Sequence, residues 1–480
     1  GVTLTDSWDI RSAIAGEEGS QVTVTVVSQR DGRTRDYTLT RRAVDIPIVT
    51  YELVGDAGYI DCTSFGDSTT ATVQEALEEL NDDVSIWIMD LRSNPGGTSE
   101  AAAGSAGLFA GSATMVYFRD AAGNYQYVYT TEACPDLTDK PLVILTSPYS
   151  ASGSELFASA ARDLGFGIAI GQRTYGKGIA QIVFDETNTQ GLFDGDALKI
   201  TAYRFFSPDG ATNHTVGVLP TLMLSVENTP AAALLLSASE PSRASGFLKL
   251  ELAGQTFYLD LEEAQDETYL AAFTELLEAL PPSALLYQGS GSRTWKEITP
   301  EALAAELELD YSGRTFSDIA DTQFEREIET LSAYQLLGGY EDGTFRPENA
   351  ITRAEFCAMV ASALNLPASG SAPTFTDVGA DTWYAGAISA MAARGFVAGD
   401  GDGAFRPDST ITYQEIVTIL SSVAAWASMD GYALSQETLT AAEWAEYYDF
   451  ADWAQIPARN LAELGALVGD LAPTDNATRE

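Results

Sequence analysis

A cluster of serines and one lysine are the residues of this sequence best suited to covalent chemistry. The cluster is Ser150-Ala-Ser-Gly-Ser-Glu155, and Lys177 follows Ser152 by 25 residues, between two glycines. A serine hydroxyl is a weak nucleophile and needs a base beside it. The chain has one histidine, His214, which any Ser–His–Asp triad would have to use. The other solution is a lysine kept neutral in an apolar pocket, and we predict a Ser152–Lys177 dyad.

The sequence around these residues predicts elements that would position them. Leu142-Val-Ile-Leu145 has the pattern of a buried strand, and the apolar run that begins at Leu156 is helical. A strand, a tight turn of small residues and a helix expose a hydroxyl where backbone N–H groups converge. Strands and helices alternate through residues 46–225, which predicts an α/β core in which helices pack on a mixed sheet.

Composition limits the classes of protein to which the chain can belong. Its 480 residues suggest about three domains, and a hydrophobic content of 45% is enough for packed cores. A net charge of −43 argues against nucleic acid or an anionic membrane as a partner. No apolar stretch approaches the ~18 residues of a membrane span, and three scattered cysteines fit neither a disulfide framework nor a zinc site. Because the chain begins at Gly1 within what has the pattern of a domain, we expect a preceding segment, with any secretion signal, to be missing.

Four segments resemble the C-terminal processing peptidases, also called tail-specific proteases, over roughly residues 1–225. They are Asp90-Leu-Arg-Ser-Asn-Pro-Gly-Gly97, Ser150-Ala-Ser-Gly-Ser-Glu155, Gly171-Gln-Arg-Thr-Tyr-Gly-Lys-Gly178 and Ser207-Pro-Asp-Gly210. The resemblance implies a serine endopeptidase that acts on proteins or peptides with accessible C-terminal tails, and no cofactor or metal is implied. In the family's pattern Ser152 is the nucleophile, Lys177 its general base and Gln181 the residue that orients the lysine.

The resemblance also implies an oxyanion hole. Backbone N–H groups of Gly96 or Gly97, together with that of Gly153, would surround the developing negative charge. Glycines suit this role because a backbone approaches a carbonyl closely where no Cβ intrudes. Other polar residues nearby are expected to be structural: Ser150 and Ser154 in capping or packing, Asp90 in anchoring the Arg92 loop, Asp163 and Cys62 away from the chemistry, and His214 at the surface.

The segment that precedes the core predicts a small β-rich unit. A short helical stripe comes before two alternating runs, Val22–Val26 and Tyr37–Thr40, on either side of Asp31-Gly32. This pattern is typical of a β-hairpin. A helix followed by a hairpin resembles the C-terminal half of a PDZ domain at residues 1–45. The alternative is a β-rich lead-in with no binding role.

Residues 226–310 predict a small α+β domain or spacer. Alternating runs on either side of Ala253-Gly254 predict a hairpin, and the stripe from Tyr269 to Leu280 predicts a helix. The sequence does not assign a function to this segment.

Residues 311–480 contain internal repeats. Phe316-Ser-Asp318 recurs as Phe375-Thr-Asp377 after 59 residues, Gly343-Thr-Phe-Arg-Pro347 recurs as Gly403-Ala-Phe-Arg-Pro407 after 60, and Phe450-Ala-Asp452 opens a third copy. Repeats of this size need neighbours to bury their apolar faces. They resemble S-layer homology repeats, which form an all-α unit, at residues 311–370, 371–435 and, truncated, 436–480.

The second resemblance implies binding to the secondary cell-wall polysaccharide of Gram-positive bacteria. Within the signature segment Thr352-Arg-Ala-Glu355, the candidate binding residues are Thr352, Arg353 and Glu355, and arginine can pair with an anionic sugar substituent in a bidentate manner. The second copy, Thr412-Tyr-Gln-Glu415, lacks the arginine, and the third has Thr478-Arg-Glu480. Asp400-Gly-Asp-Gly403 lacks the spacing of an EF-hand loop and is predicted to be a turn.

These features predict a multidomain, extracellular serine endopeptidase attached to the cell wall or the S-layer. One alternative is a catalytically silent scaffold that only binds peptides. The other is a structural surface-layer protein in which the α/β core has no activity.

Overall fold

The computed structural model describes residues 13–27, 32–42, 47–130, 136–193, 195–320, 322–367, 375–467 and 471–480. The chain divides into two compact units, Gly1–Pro47 and Ile48–Glu480. In the first unit, strands β1 (Gln21–Val27) and β2 (Thr34–Thr40) pair antiparallel, which confirms the predicted hairpin. The helical pattern at Trp8 and Asp31 of the turn lie outside the described residues, and the PDZ-like interpretation stays a prediction.

A six-stranded mixed sheet lies at the centre of the second unit. Its strands are β3 (Val49–Val54), β4 (Ala57–Cys62), β5 (Ile86–Asp90), β8 (Leu142–Thr146), β9 (Gly167–Gly171) and β12 (Leu222–Met223). Their order is β12-β9-β8-β5-β4-β3, in which β3 and β4 are antiparallel and the other neighbours are parallel. Strands β5, β8 and β9 are buried throughout, which explains their continuous apolar sequences.

Alternate side chains of these strands enter two different cores, because successive residues of a strand point to opposite faces. Trp87, Met89 and Ile144 pack in the core formed with three helices, which are α1 (Thr69–Leu80), α2 (Ser99–Ala110) and α3 (Gly153–Leu164). Next to this layer lies an antiparallel sheet of order β10-β11-β6-β7, made of β6 (Thr114–Arg119), β7 (Tyr125–Thr130), β10 (Ile179–Phe184) and β11 (Leu198–Phe206). The predicted α/β core with a mixed sheet is confirmed.

The segment from residue 226 onward covers the opposite face of the central sheet. Ile88, Leu145 and Ile170 share one continuous core with Leu250 and Phe273. The elements of this segment are the strands β13 (Phe247–Leu252), β14 (Gln255–Asp260), β15 (Leu285–Ser290) and β16 (Thr294–Glu297), and the helices α4 (Thr229–Leu234), α5 (Leu261–Ala264), α6 (Leu270–Glu278) and α7 (Pro300–Glu306). The α+β character is therefore confirmed. The segment forms a layer that packs on the central sheet and shares a core with it.

The hairpin between β13 and β14 shows how the turn residues set the fold here. Ala253 and Gly254 both have positive φ, +47° and +78°. Two consecutive positive φ angles give the twist that matches a two-residue hairpin, and the pairing of Leu252 with Gln255 follows directly.

The remaining helices, from residue 325 to the end of the chain, form what we call the helical module (residues 311–480). They are α8 (Glu325–Ala333), α9 (Arg353–Ala363), α10 (Ala385–Ala393), α11 (Tyr413–Ala427), α12 (Met429–Leu434), α13 (Ala441–Glu446) and α14 (Asp452–Glu463). Three short bridges join the repeats into a ring: Ala350 with Thr478, Thr352 with Thr410, and Thr412 with Asn476. The third copy therefore contributes its own segment to the ring.

The recurring sequence signature of the module has a physical cause. The Asp318 carboxylate accepts hydrogen bonds from the backbone N–H groups of Phe345 (2.7 Å) and Arg346 (2.8 Å). Asp377 makes the equivalent bonds to Phe405 (2.8 Å) and Arg406 (2.7 Å) in the second copy. In the first and second copies, the aspartate of the opening motif thus holds the Gly-x-Phe-Arg-Pro turn of its own repeat.

Within the described ranges, none of the helices has the length and apolar character needed to cross a bilayer. Cys62 and Cys357 are buried free thiols, and Cys134 lies outside the described residues. Asp400-Gly-Asp-Gly403 is a turn closed by a hydrogen bond from the Gly403 N–H to the Asp400 carbonyl (2.9 Å).

Candidate active site

Ser152 lies at the tip of the turn that connects β8 to α3. It is the residue before the first turn of α3, with φ +55° and ψ −108°. A serine in this region of backbone space costs about 1–3 kcal/mol and persists only where its surroundings hold it. Two neighbours provide such support: the Ser150 hydroxyl donates to the Leu91 carbonyl (2.7 Å) and the Ser154 hydroxyl to the Asn94 carbonyl (2.9 Å). The predicted strand, turn and helix are confirmed, as is the packing role of both serines.

Gly96 and Gly97 pack directly against this turn. A Cβ on Gly96 would lie 2.7 Å from Ser152 Cβ and 2.8 Å from the Gly153 nitrogen, and a Cβ on Gly97 would lie 1.9 Å from the Phe65 carbonyl oxygen. Both glycines have positive φ, +105° and +152°. No residue with a side chain fits either position without a shift of the backbone.

The two glycines differ in what their N–H groups can do. The Gly96 N–H donates to Asn94 Oδ1 (2.8 Å), so of the two glycines it is the one already engaged, and a role for Gly96 in an oxyanion hole stays a prediction. The Gly97 and Gly153 N–H groups make no hydrogen bond within the described part of the chain. A Cβ built on Gly153 would lie 3.4 Å from the Gly97 nitrogen, so these two residues are neighbours at the nucleophile turn.

Glu155 connects the serine turn to the lysine loop, a role that the sequence analysis did not assign. Its Oε2 accepts the backbone N–H groups of Ser152 (2.8 Å) and Lys177 (2.7 Å). Its Oε1 accepts the Thr174 hydroxyl (2.6 Å) and the Gly176 N–H (2.7 Å). The side chain is fully buried, and burial raises its pKa although the four hydrogen bonds act in the opposite direction. Because one oxygen binds both backbones, Glu155 fixes the distance between Ser152 and Lys177.

The structure brings the three predicted catalytic side chains to one cavity. Ser152, Lys177 and Gln181 all line a cleft of about 540 Å³. Lys177 is half-buried and Gln181, beside a bulge in β10, is exposed. In the described part of the chain, no hydrogen bond joins Ser152 Oγ to Lys177 Nζ. The walls include the apolar side chains of Phe118, Leu156, Tyr203 and Phe205, and the two other charged residues of the lining are Glu100 and Lys199.

Two acidic residues that the sequence analysis considered have structural partners. Asp90 accepts three hydrogen bonds from the Arg92 guanidinium (2.6 Å at the shortest) and one from the Tyr59 hydroxyl (2.6 Å). Burial would raise the pKa of Asp90, but these bonds outweigh it and the pKa is lowered. Asp163 accepts the Asp209 backbone N–H (3.0 Å). The anchoring role predicted for Asp90 is confirmed.

Cys62 and His214 complete the predicted set. Burial raises the pKa of the Cys62 thiol to about 12, which keeps the thiol protonated and suits a packing residue. His214, expected at the surface, is half-buried instead, and its buried Nδ1 has no hydrogen-bond partner among the described residues. Burial, with help from the charges of Arg204 and Arg394, lowers the pKa of His214. In the described residues no cluster of carboxylate, thiol or imidazole groups could hold a metal ion.

The candidate polymer-binding residues of the helical module all have partners inside the protein. Thr352 and Glu355 cap α9, through bonds from the Thr352 N–H to Glu355 Oε2 (2.8 Å) and from the Glu355 N–H to Thr352 Oγ1 (3.2 Å). Arg353 reaches the second copy, where it donates to the Phe405 carbonyl (2.9 Å) and pairs with Glu415. These residues hold neighbouring repeats together, and Arg353 lies at the junction between two of them.

The residue at the position of Arg353 is an arginine in the third copy and a tyrosine in the second. Arg479 makes the equivalent contact with the first copy, donating to the Phe345 carbonyl (2.9 Å). Tyr413 replaces the arginine in the second copy and packs its ring against Phe450, with centroids 6.2 Å apart. The three junctions are therefore not chemically equivalent.

Comparison with known proteins matches two families to separate parts of the chain. The profile of peptidase family S41 matches residues 56–224, and that of the S-layer homology domain matches residues 315–357 and 374–417. The chain is 30% identical over 239 residues to the chloroplastic C-terminal processing peptidase of Tetradesmus obliquus, covering 46% of this chain and 50% of the relative. It is 30% identical over 209 residues to a probable CtpA-like serine protease of Staphylococcus aureus, covering 43% of this chain and 40% of the relative.

A solved structure, the photosystem II D1 C-terminal processing protease, is 30% identical, with a TM-score of 0.35 over 44% of this chain and 57% of the other. The chain thus spans about half the length of the relatives it matches. It carries a peptidase family S41 core followed by S-layer homology domains.

Proposed function

We propose that this chain, with its peptidase family S41 core and S-layer homology domains, is a cell-surface serine endopeptidase that hydrolyses peptide bonds through a Ser152–Lys177 dyad. The observation that carries the proposal is the cavity at which a serine in a strained turn, a lysine and two backbone N–H groups that are unbonded in the described part of the chain meet. Nucleophile, base and oxyanion donors are the parts that acyl transfer requires.

The proposed reaction begins when the Ser152 hydroxyl oxygen attacks the carbonyl carbon of the scissile bond. Neutral Lys177 Nζ accepts the hydroxyl proton and then returns it to the nitrogen of the leaving amine, so that an ester forms on Ser152 as the peptide bond breaks. Lys177 next takes a proton from water, whose oxygen attacks the ester. The ester bond breaks, and the proton restores the Ser152 hydroxyl.

The backbone supplies the charge stabilisation in this proposal. The Gly97 and Gly153 N–H groups, which the described part of the chain leaves unbonded, would donate to the oxyanion of each tetrahedral intermediate. Gly153 is the first residue of α3, and the partial positive charge of a helix N-terminus favours an anion there. Gln181, on the cavity wall, would orient the Lys177 amine.

The cavity indicates what kind of substrate it accepts. An extended chain end fits an open cleft of about 540 Å³, and the Phe118, Leu156 and Phe205 side chains would receive an apolar residue next to the scissile bond. Substrates with unstructured C-terminal tails would therefore be cleaved, since a folded segment would not present its backbone to Ser152.

The helical module would attach the enzyme to the cell surface. Arg353 lies at a junction between repeats together with Thr352 and Glu355, and a guanidinium there can recognise an anionic group of a secondary cell-wall polysaccharide. Sedimentation of the full chain with purified cell-wall fragments tests this part: Arg353→Ala should stay in solution while the wild type sediments. Equal sedimentation of both would contradict the assignment.

The peptidase proposal is tested by comparing two lysines of the same cavity. Hydrolysis of unstructured casein should be abolished in Lys177→Ala, because no base remains. Lys199→Ala should keep the kcat of the wild type and change only KM. Full activity in Lys177→Ala would overturn the dyad. Binding of casein without cleavage by the wild type would favour a silent peptide-binding scaffold instead.

A further inference from the structure

The loop at residues 207–218 lies against the backbone on both sides of Lys177. The Thr215 N–H donates to the Gly176 carbonyl (2.8 Å). A Cβ on Gly176 would lie 2.5 Å from the Thr215 carbonyl oxygen, and one on Gly178 would lie 2.4 Å from the His214 nitrogen. The position of Lys177 therefore depends on where this loop sits.

The other side of the 207–218 loop is held by the helical module. The Thr212 N–H donates to the Ala427 carbonyl (2.8 Å), and the Met429 N–H donates to the Gly210 carbonyl (3.1 Å). These two bonds form a short antiparallel seam between Ala211 and Ser428. Further along the loop, Val216 packs into the apolar core of the module.

Side chains reinforce the seam at both ends. Arg204, on β11, donates to the Trp426 carbonyl (3.0 Å) and to the Thr212 hydroxyl (3.2 Å). Asn365, just after α9, donates from Nδ2 to the Thr215 carbonyl (3.3 Å). Thr215 of the loop thus accepts a hydrogen bond from the helical module at its C=O, and its N–H donates one to Gly176, next to Lys177.

That residue, Thr215, has an unusual backbone. Its φ is +65°, in a region that β-branched residues rarely occupy because their side chain crowds the backbone. A conformation of this kind persists only where the surrounding structure over-determines it. Here the surroundings are Gly176 on one side and the helical module on the other.

We propose that the helical module is a positioning element of the active site, acting on Lys177 through the 207–218 loop, with Met429 and Asn365 as positioning residues. The inference rests on the proposed peptidase function. If the seam opens, the loop and the lysine backbone gain freedom, and a base that is misplaced by a fraction of an ångström loses rate without loss of substrate binding.

Met429→Pro is the sharpest perturbation, because it deletes the N–H that bonds to the Gly210 carbonyl. Met429 is the first residue of α12, where proline is tolerated. Ser428, before it, has φ −124° and ψ 157°, which suit a residue that precedes proline. Met429→Ala is the matched control, since it removes the side chain and keeps the N–H. Asn365→Asp is a second, independent variant that replaces the donor to Thr215 with an acceptor at an exposed position.

The test is steady-state hydrolysis of a casein-derived peptide by the full chain. We expect kcat to fall about tenfold in Met429→Pro, with KM within twofold of the wild type, and to fall in the same direction in Asn365→Asp, while Met429→Ala stays close to the wild type. Unfolding temperature and sedimentation with cell-wall fragments show whether each variant is folded. Asn365→Asp carries the test alone if Met429→Pro does not fold.

Unchanged kcat in folded Met429→Pro and Asn365→Asp, or an equal loss in Met429→Ala, would overturn the positioning role. A change confined to KM would also overturn it. Failure of the proposed function is recognised separately, because Ser152→Ala would then behave like the wild type.

Discussion

Replacement of Glu155 by glutamine should damage both stability and turnover. The carboxylate accepts four hydrogen bonds, two at each oxygen, from the segments that carry Ser152 and Lys177. Glutamine has nearly the same shape but keeps one acceptor oxygen, because its NH₂ group can only donate. We expect that NH₂ to face Thr174, whose hydroxyl can rotate to accept, so that the Gly176 N–H is left without a partner.

The expected size follows from those bonds. A hydrogen bond to a charged group contributes roughly 1.5–3 kcal/mol, and an orphaned buried donor costs about 1–3 kcal/mol. Partial rescue by the Thr174 hydroxyl leaves a loss of about 2–4 kcal/mol in the free energy of unfolding. The variant should stay folded, since domains are typically stable by about 5–15 kcal/mol. The shift of Lys177 relative to Ser152 should lower kcat roughly 100-fold.

Urea unfolding and casein hydrolysis measure the two effects, with Glu75→Gln as the control because Glu75 is an exposed carboxylate of α1. The control should match the wild type in both assays. If Glu155→Gln also kept wild-type stability and kcat, Glu155 would not be what holds the dyad together. Loss of stability with full kcat would make it a structural residue alone.

Three further predictions concern other parts of the molecule. Gly97→Ala should lower kcat at least 100-fold, since its Cβ would lie 1.9 Å from a carbonyl oxygen and would displace an oxyanion donor; an active variant in a casein assay would refute this. The pKa of His214 is lowered by burial and by the charges of Arg204 and Arg394. As pH falls below about 6.5, this histidine therefore binds a proton in the unfolded chain before it does so in the folded one, and the free energy of unfolding decreases. His214→Asn should lose less stability than the wild type between pH 7 and pH 5 in urea titrations, and an identical pH dependence would contradict the assignment. Asp377→Asn keeps one acceptor for two backbone N–H groups, so calorimetry should show the free energy of unfolding lowered by about 0.5–1.5 kcal/mol, and no change would refute its role in the turn.

Local patterns predicted the chemistry of the site because the relevant signals lie close together in the chain. Ser152 and its turn follow a buried strand and precede a helix, and the residue types of these neighbouring segments are enough to predict that geometry. The repeats of the helical module were readable for the same reason, since Asp318 and the turn it holds belong to one repeat. Even Glu155 had a signal, because a serine followed three residues later by glutamate has the spacing of a capping box.

What could not be predicted depends on contacts between distant segments. Whether Gly96 or Gly97 offers a free N–H is decided by the orientation of the Asn94 side chain. The layer formed from residue 226 onward has an ordinary α+β pattern, and nothing local indicates that Phe273 shares a core with Ile88 of the central sheet. The seam between the 207–218 loop and the helical module likewise joins segments about 200 residues apart, so its existence depends on tertiary packing.

The most direct test of the proposed function is casein hydrolysis by the purified wild type beside Ser152→Ala, with Ser99→Ala as a second serine of the same cavity. The account predicts that Ser152→Ala, folded by its unfolding temperature, produces no fragments, while the wild type and Ser99→Ala do. Equal cleavage by Ser152→Ala and the wild type would contradict the assignment of Ser152 as the nucleophile.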